Sequence, residues 1–320
     1  MRERLDLVCA WRALPPGTEA VLATVVATRG SVYRRPGARM LLTRDGWIAG
    51  SVSGGCIESD LVQTAFWRTE RGAAFVTYDA SAPDDILLGF GLGCNGAVDV
   101  LMQRLPSDGG PLAVIEGVLR ERRESWLETY ADGSWQAERT KGEALLREWL
   151  RPPPALVIFG AGHDAVPLVR MAKEVGWHVT VIDGRSAYAK AERFLGADCV
   201  TVSPPSKPIP IEDGAAVVLM THSFSNDVAL LSWLLDSPAG YIGVLGPIHR
   251  TRRILEEQGL DGSRLYAPIG LDLGAEGPDE IALAIVAEIQ AVRSGRTASH
   301  LKGRMTPLHE KEEPRHVGRI

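Results

Sequence analysis

Residues 155–183, ALVIFGAGHDAVPLVRMAKEVGWHVTVID, place two strand patterns on either side of a helical pattern. The first apolar run ends directly at Gly160 and Gly162, and the helical periodicity follows them. A β–α–β unit of this kind is typical of parallel sheets, because only a long crossover can join parallel neighbours. The stretch therefore predicts a Rossmann-like domain with a doubly wound parallel sheet.

The alternation of strand and helix patterns continues after this unit. Strand patterns recur at 215–222 and 241–246. Residues 278–295 form an amphipathic helical pattern that begins with a proline and two acids and ends at a glycine. This order of elements favours one doubly wound sheet over a separate bundle of helices.

The first half of the chain has a different order of strand and helix patterns, which predicts a mixed α+β domain over residues 1–150. Residues 38–50 predict a hairpin, and residues 57–66 predict a helix with one apolar face. The segment 142–150, GEALLREWL, predicts a further short helix.

A proline-rich segment separates the two halves. The residues RPPP at 151–154 are stiff and non-helical, so we place the domain boundary there and the second domain at 154–295. The remaining residues, 296–320, are polar and unpatterned, which predicts a disordered tail.

Composition excludes some classes of function. The chain has 320 residues, 45% of them hydrophobic, and a net charge of -5, as in a globular protein. It has no basic stripe and no apolar run long enough to cross a bilayer, so we expect neither a nucleic-acid nor a membrane partner. The N-terminus predicts an amphipathic helix rather than a signal peptide, and the four cysteines form no CxxC pair, so we expect a cytoplasmic protein.

Five residues make the C-terminal crevice a candidate binding site. Gly160 and Gly162 match a dinucleotide fingerprint that admits a pyrophosphate to a helix N-terminus, and Asp183, about 20 residues further on, would bond a ribose. His163 starts the helix, and His222 ends a strand at the edge where such sheets bind ligands. The pattern is consistent with NAD(P), with a pterin nucleotide, or with a fold whose crevice binds neither.

A second candidate site contains two glycine-framed thiols. The stretch GSVSGGCIE places Cys56 at a helix start, where Ser53 or Gly55 could cap the helix. The backbone N–H groups of Gly54 and Gly55 could bind an oxyanion there. Cys94 lies in a matching stretch, GLGCNG, although each cysteine taken alone also fits a small buried residue.

Arginines near the first thiol add positive charge. Arg34 and Arg39 lie within GSVYRRPGARM, and a guanidinium suits a phosphate because its planar fork donates two parallel hydrogen bonds. Together with Cys56 and Cys94, these residues predict a site for an anionic, sulfur-containing ligand.

These motifs, in this order, resemble the XdhC/CoxI family of accessory proteins for molybdenum-containing hydroxylases such as xanthine dehydrogenase. The resemblance covers residues 20 to 295. It rests on GSVYRRPGARM, GSVSGGCIE and GLGCNG in the first half and, in the second, on IFGAGHDA, VTVIDGR, MTHSFSND, YIGVLG and APIGLDLGAEGPDEIALAIVAEI.

The resemblance implies a function. Proteins of this family bind the molybdenum cofactor, a molybdopterin, assist its sulfuration with a cysteine desulfurase, and deliver it to the apo-hydroxylase client. The resemblance thus implies Cys56 and Cys94 as candidate ligands of a soft metal–sulfur centre. We therefore expect a cytoplasmic homodimer that acts as a maturation factor without turnover of its own. An NAD(P)-dependent oxidoreductase and a structural adaptor are the alternatives.

The sequence departs from the family pattern at two places in the second half. Residues 247–250, PIHR, stand where the family tends to have Ser-Arg-Arg-Lys. Ser223 and Phe224 stand where it tends to have Asp and His, although Asp227 remains. These changes weaken the expectation of family-typical binding in the C-terminal crevice and leave Cys56 and Cys94 unaffected.

Overall fold

The computed structural model describes residues 1–79 and 96–303, and every structural statement below concerns those residues. They form two compact units. The first comprises residues 1–79, 96–156, 172–179 and 196–198, and the second comprises 157–171, 180–195 and the described residues from 199 onward. The domain limits drawn from the sequence remain predictions, and most of the predicted tail lies outside the described residues, as does Cys94.

The first unit is built on an antiparallel sheet covered by helices. Its strands are β1 (Ala20–Gly30), β2 (Arg39–Thr43), β3 (Gly46–Gly50), β4 (Ala74–Asp79) and β5 (Gly96–Arg104), in the order β3-β2-β1-β5-β4. Its helices are α1 (Arg2–Arg12), α2 (Glu58–Arg68) and α3 (Pro111–Glu121). The hairpin and the helix predicted after it are therefore confirmed as β2–β3 and α2.

Strand β1 is buried on both faces because alternate residues enter different apolar clusters. Val21, Ala23 and Val25 pack in the cluster that includes residues of α2. Leu22 packs in another cluster, with residues of α1 and α3. Period-2 alternation thus places apolar side chains on both faces of the strand, which explains its nearly continuous apolar sequence.

A small sheet completes the first unit and corrects one sequence prediction. Strands β6 (Ser125–Thr129), β7 (Trp135–Gln136) and β8 (Leu146–Leu150) lie in the order β7-β6-β8. The helix predicted at 142–150 is wrong, because its second half is β8, paired antiparallel with β6. Leu146 and Leu150 are four residues apart, a spacing that places them on one side of a strand as well as of a helix.

The second unit contains most of the predicted Rossmann-like sheet. Strands β9 (Ala155–Phe159), β10 (His178–Asp183), β11 (Cys199–Val202), β12 (Ala216–Leu219), β13 (Tyr241–Val244) and β14 (Leu265–Tyr266) lie in the order β11-β10-β9-β12-β13-β14. The predicted fold class is confirmed, and the order reverses between β9 and β12, where such sheets bind ligands.

The α-helices that follow β9 in the described part of the chain are α4 (Ala165–Glu174), α5 (Phe224–Leu234), α6 (Ile248–Gln258) and α7 (Pro278–Arg293). The last of them confirms the predicted amphipathic helix to within two residues. No helix within the two described ranges is long and apolar enough to span a membrane.

One carboxylate is completely buried in the small sheet. Glu128 has no exposed surface and accepts hydrogen bonds from Thr140, Tyr130 and Arg147. Burial alone would raise the pKa of this carboxyl group, but the hydrogen bonds outweigh it and lower the pKa to about 2.

This carboxylate predicts a pH dependence of stability. Because its pKa is depressed from the ordinary value of 4.5, its contribution is complete above that value and is lost as the pH falls towards 2. We expect Glu128→Gln to lower the free energy of unfolding at pH 7 by about 2 kcal/mol, since hydrogen bonds to a charged group are lost. The variant should also lose part of the acid destabilisation that this pKa predicts for the wild type.

The measurement is urea unfolding at several pH values. Unfolding is monitored by the circular dichroism of the packed rings of Trp126 and Trp149, whose centroids lie 4.9 Å apart. Glu124→Gln is the matched control, because Glu124 is half exposed and pairs with the exposed Arg151. Equal pH profiles for wild type and Glu128→Gln would refute the assignment.

Candidate functional site

The turn that follows β9 has no room for a side chain at its first residue, Gly160. Gly160 adopts a φ of 115°, in the region that favours glycine. A Cβ there would also collide with the backbone carbonyl of Met220, just beyond β12. The first fingerprint glycine is therefore required by the close approach of two neighbouring strands, whatever the crevice binds.

Asp183 is fully occupied within the protein. Its Oδ2 accepts the backbone N–H of Ala161 at 2.8 Å and Nη2 of Arg185 at 2.7 Å. Its Oδ1 accepts the backbone N–H and Nε of Arg185, both at 2.9 Å. Burial would raise the pKa of the carboxyl group, but these bonds outweigh it and the pKa is lowered. The carboxylate is ionised and has four donors in place of the ribose predicted from the sequence.

Arg185 turns the end of β10 into a positive site. Its guanidinium lies 3.9 Å from the ring centroid of Tyr188, and its side chain is 51% exposed. Its Nη1 makes no hydrogen bond to any residue in the described ranges. Arg193, whose Nη1 donates to the carbonyls of Ala161 and Tyr188 at 2.8 Å, also lies over the Tyr188 ring.

An acidic residue stands over the second fingerprint glycine. The position of a Cβ on Gly162 lies only 2.5 Å from Oδ1 of Asp164. Oδ1 is buried and has no hydrogen-bond partner in the described part of the chain. Oδ2 of Asp164 lies 2.7 Å from Nε2 of His222. The space that the fingerprint reserves for a phosphate therefore contains a carboxylate.

His222 is held in an unusual backbone conformation. Its φ is 53°, in the left-handed region that non-glycine residues seldom adopt. The bond to Asp164 links the loop after β9 with the end of β12, across the reversal of strand order. His163 is exposed and makes no side-chain hydrogen bond to a described residue. The partner of His222 is thus Asp164, which the sequence did not single out, and His163 does not take part in this bond.

A shallow cleft lies along this carboxyl edge. It encloses about 260 Å³ when the space open to solvent is included. Its polar lining is Asp183, Arg185, Ser203, Thr221 and Asn226.

In the first unit, the glycine-rich stretch with Cys56 is closed by its own side chains. Oγ of Ser53 accepts the backbone N–H groups of Gly55 and Cys56, each at 3.0 Å. Glu58 in turn accepts the N–H of Ser53 at 2.8 Å and the Ser53 hydroxyl. Ser53 thus fixes the turn, and it uses the N–H of Gly55, one of the two groups expected to bind an oxyanion. The predicted helix cap at Ser53 or Gly55 is wrong, because α2 begins at Glu58 after Ile57 and Cys56 lies before the helix.

The Cys56 side chain is partly buried at the edge of an apolar cluster that includes Val52 and Leu61. Cys94 lies outside the described residues. Within those residues, no three His, Cys, Asp or Glu side chains are grouped so that they could hold a metal ion. The expected two-thiol metal site therefore remains a prediction.

The two predicted arginines already have acidic partners. Arg39 is buried, pairs with Glu148 and donates to the carbonyl of Gly37. Arg34 binds Glu3 at 2.7 Å and Ser51 at 3.0 Å, with 26% of its side chain exposed. Arg39 thus has a structural role, and Arg34 would need to exchange partners to bind a phosphate. That both bind a ligand remains a prediction.

The fold and the sites define a two-unit α/β protein whose Rossmann-type sheet carries a modified fingerprint. Two family models match the chain, the XdhC Rossmann domain at residues 156–289 and the XdhC and CoxI family at residues 13–79. The chain belongs to the XdhC/CoxI family.

Similar proteins match nearly the whole chain. A probable xanthine dehydrogenase subunit from Bacillus subtilis is 32% identical, over 86% of this chain and 93% of its own length. The molybdenum cofactor insertion chaperone PaoD from Escherichia coli is 27% identical, over 91% of this chain and 88% of its own. The crystal structure of a protein named as a xanthine dehydrogenase, from Bacillus halodurans, has a TM-score of 0.78 and 31% identity, over 93% of this chain and 98% of its own.

The hydrogen bonds of the Ser53 hydroxyl yield a stability prediction. We expect Ser53→Ala to lower the free energy of unfolding of the first unit by about 2 kcal/mol, because several N–H groups and Glu58 lose their partner. Cys56→Ala should cost less than about 1 kcal/mol, because it removes one small, partly exposed group. Thermal unfolding of both variants tests this, and equal losses would show that the serine does not hold the loop.

Proposed function

We propose that this protein binds the molybdenum cofactor and assists its insertion into a molybdenum hydroxylase of the xanthine dehydrogenase type. The observation that carries the proposal is the match along nearly the whole chain, and in both units, to proteins named for xanthine dehydrogenase and for molybdenum cofactor insertion. A match confined to the Rossmann unit would support only a nucleotide-binding fold.

The proposal includes three finer steps. Cys56 and Cys94 contact the sulfur-rich centre of the cofactor, a cysteine desulfurase supplies the terminal sulfur, and the protein works as a cytoplasmic homodimer. The partly buried thiol of Cys56, on a turn fixed by Ser53 and Glu58, supports the first step. A fixed turn holds the sulfur at a defined position, and the binding of a labile cofactor requires such a position.

The chemistry of the crevice gives the oxidoreductase alternative no support. A bound NAD would need a free acceptor for its ribose and an open glycine turn for its pyrophosphate. In this protein Asp183 is saturated by Ala161 and Arg185, and Asp164 covers Gly162.

Replacing Cys56 tests the proposal directly. Purified protein is mixed with molybdenum cofactor and desalted, and the retained molybdenum is measured by elemental analysis. We expect Cys56→Ser to reduce the retained metal about tenfold or more, because a hydroxyl is a poor partner for a soft metal–sulfur centre. Activation of the apo-hydroxylase should fall in parallel.

Cys9→Ser and Cys199→Ser are matched controls, since both thiols are exposed and free. Equal amounts of retained molybdenum in the wild type and in the Cys56→Ser, Cys94→Ser double variant would show that the thiols are not part of the site. No molybdenum in the wild type would contradict the function itself. Sedimentation equilibrium decides between the proposed homodimer and a monomer.

A further inference from the structure

The charges in the crevice of the second unit are arranged in the reverse order from that of a dinucleotide-binding site. In such sites the glycine turn receives the negative pyrophosphate, and a free acid receives the ribose. In this protein the glycine turn carries the carboxylate of Asp164, and the acid at the ribose position is covered by the guanidinium of Arg185.

The negative end cannot readily accept a phosphate. Oδ1 of Asp164 lies 2.5 Å from the Cβ position of Gly162, in the space that a phosphate would need. Oδ2 is engaged by His222 at 2.7 Å, so the carboxylate is held in place. Its Oδ1 is buried and closed to solvent, so neither oxygen of this carboxylate is open to a ligand.

The positive end is built to receive an anion. Asp183 holds Arg185 through Nε and Nη2, and the Tyr188 ring supports the guanidinium from one side. Nη1 of Arg185 has no hydrogen-bond partner in residues 1–79 and 96–303. Arg193 adds a second positive charge beside the same ring. Two arginines against one carboxylate leave this end with a net positive charge.

We propose that the crevice binds a phosphomonoester at Arg185 and that Asp164 excludes a pyrophosphate from the glycine turn. Asp183 is then a positioning residue that orients Arg185. A pterin that ends in a single phosphate offers a phosphomonoester and no pyrophosphate, so it fits this order. The identification of the ligand as a pterin rests on the proposed function, whereas the order of charges does not.

Binding of two phosphomonoesters and their parent compounds tests the positive end. The probes are neopterin monophosphate against neopterin, and 2′-AMP against adenosine, measured by calorimetry. We expect at least one phosphorylated probe to bind about tenfold more tightly than its parent, because a charge-assisted hydrogen bond at a half-exposed site contributes about that much to affinity. Arg185→Ala should abolish this ratio, and Arg185→Lys should keep part of it.

A separate variant tests the negative end. Asp164→Asn keeps the shape of the side chain and a bond to His222, but it removes the charge that opposes a pyrophosphate. We expect NAD+ to bind this variant about tenfold more tightly than the wild type, in line with the relief of a like-charge contact. Arg253→Ala is the control for both ends, because Arg253 is exposed and pairs with Glu257 on its own helix.

Equal binding of phosphorylated and parent probes by the wild type, or an unchanged ratio in Arg185→Ala, would overturn the proposal. Unchanged NAD+ affinity in Asp164→Asn would also overturn it. If only 2′-AMP shows the Arg185-dependent ratio, the order of charges is supported. The molybdenum-retention experiment then decides the cofactor function independently, because its readout does not depend on these probes.

Discussion

The second unit depends on the carboxylate of Asp183. It accepts the N–H of Ala161 after β9 and the backbone and side chain of Arg185 after β10, so one anion fixes the ends of two neighbouring strands. These bonds set the course of the glycine turn and hold Arg185 beside Tyr188. Arg193 supports the same turn by donating to the Ala161 carbonyl. The lowered pKa of Asp183 keeps this anion charged at neutral pH.

In the first unit, an acidic side chain likewise accepts backbone N–H groups at the glycine-rich turn. Glu58 accepts N–H groups of Val52 and Ser53 and the hydroxyl of Ser53, whose oxygen then accepts N–H groups of the turn. In both units an internal acid therefore holds a glycine-rich turn, directly through the N–H of Ala161 in the second unit and through Ser53 in the first. Some of the N–H donors that these turns could offer to a ligand are thus engaged within the protein.

Local patterns predicted the fold well where each element follows from its own residues, as in the β9–α4–β10 unit. They failed at residues 146–150, because the spacing of two leucines suits a helix and a strand alike, and the pairing partner β6 lies about 20 residues away in the sequence. They also located Asp183 but not its partner Arg185, and His222 but not Asp164. Such pairings depend on side-chain positions that only the folded sheet brings together.

The left-handed backbone of His222 limits how the crevice can be redesigned. Only glycine, asparagine, aspartate and a few others tolerate that conformation without a substantial cost, so valine, isoleucine or threonine is a poor choice there. Asparagine would retain a donor for Asp164 and remove the titratable ring, whereas glycine would fit the backbone and lose the bond to Asp164. Few substitutions at position 222 are therefore compatible with the backbone, and each of them changes either the titratable group or the link between the two loops.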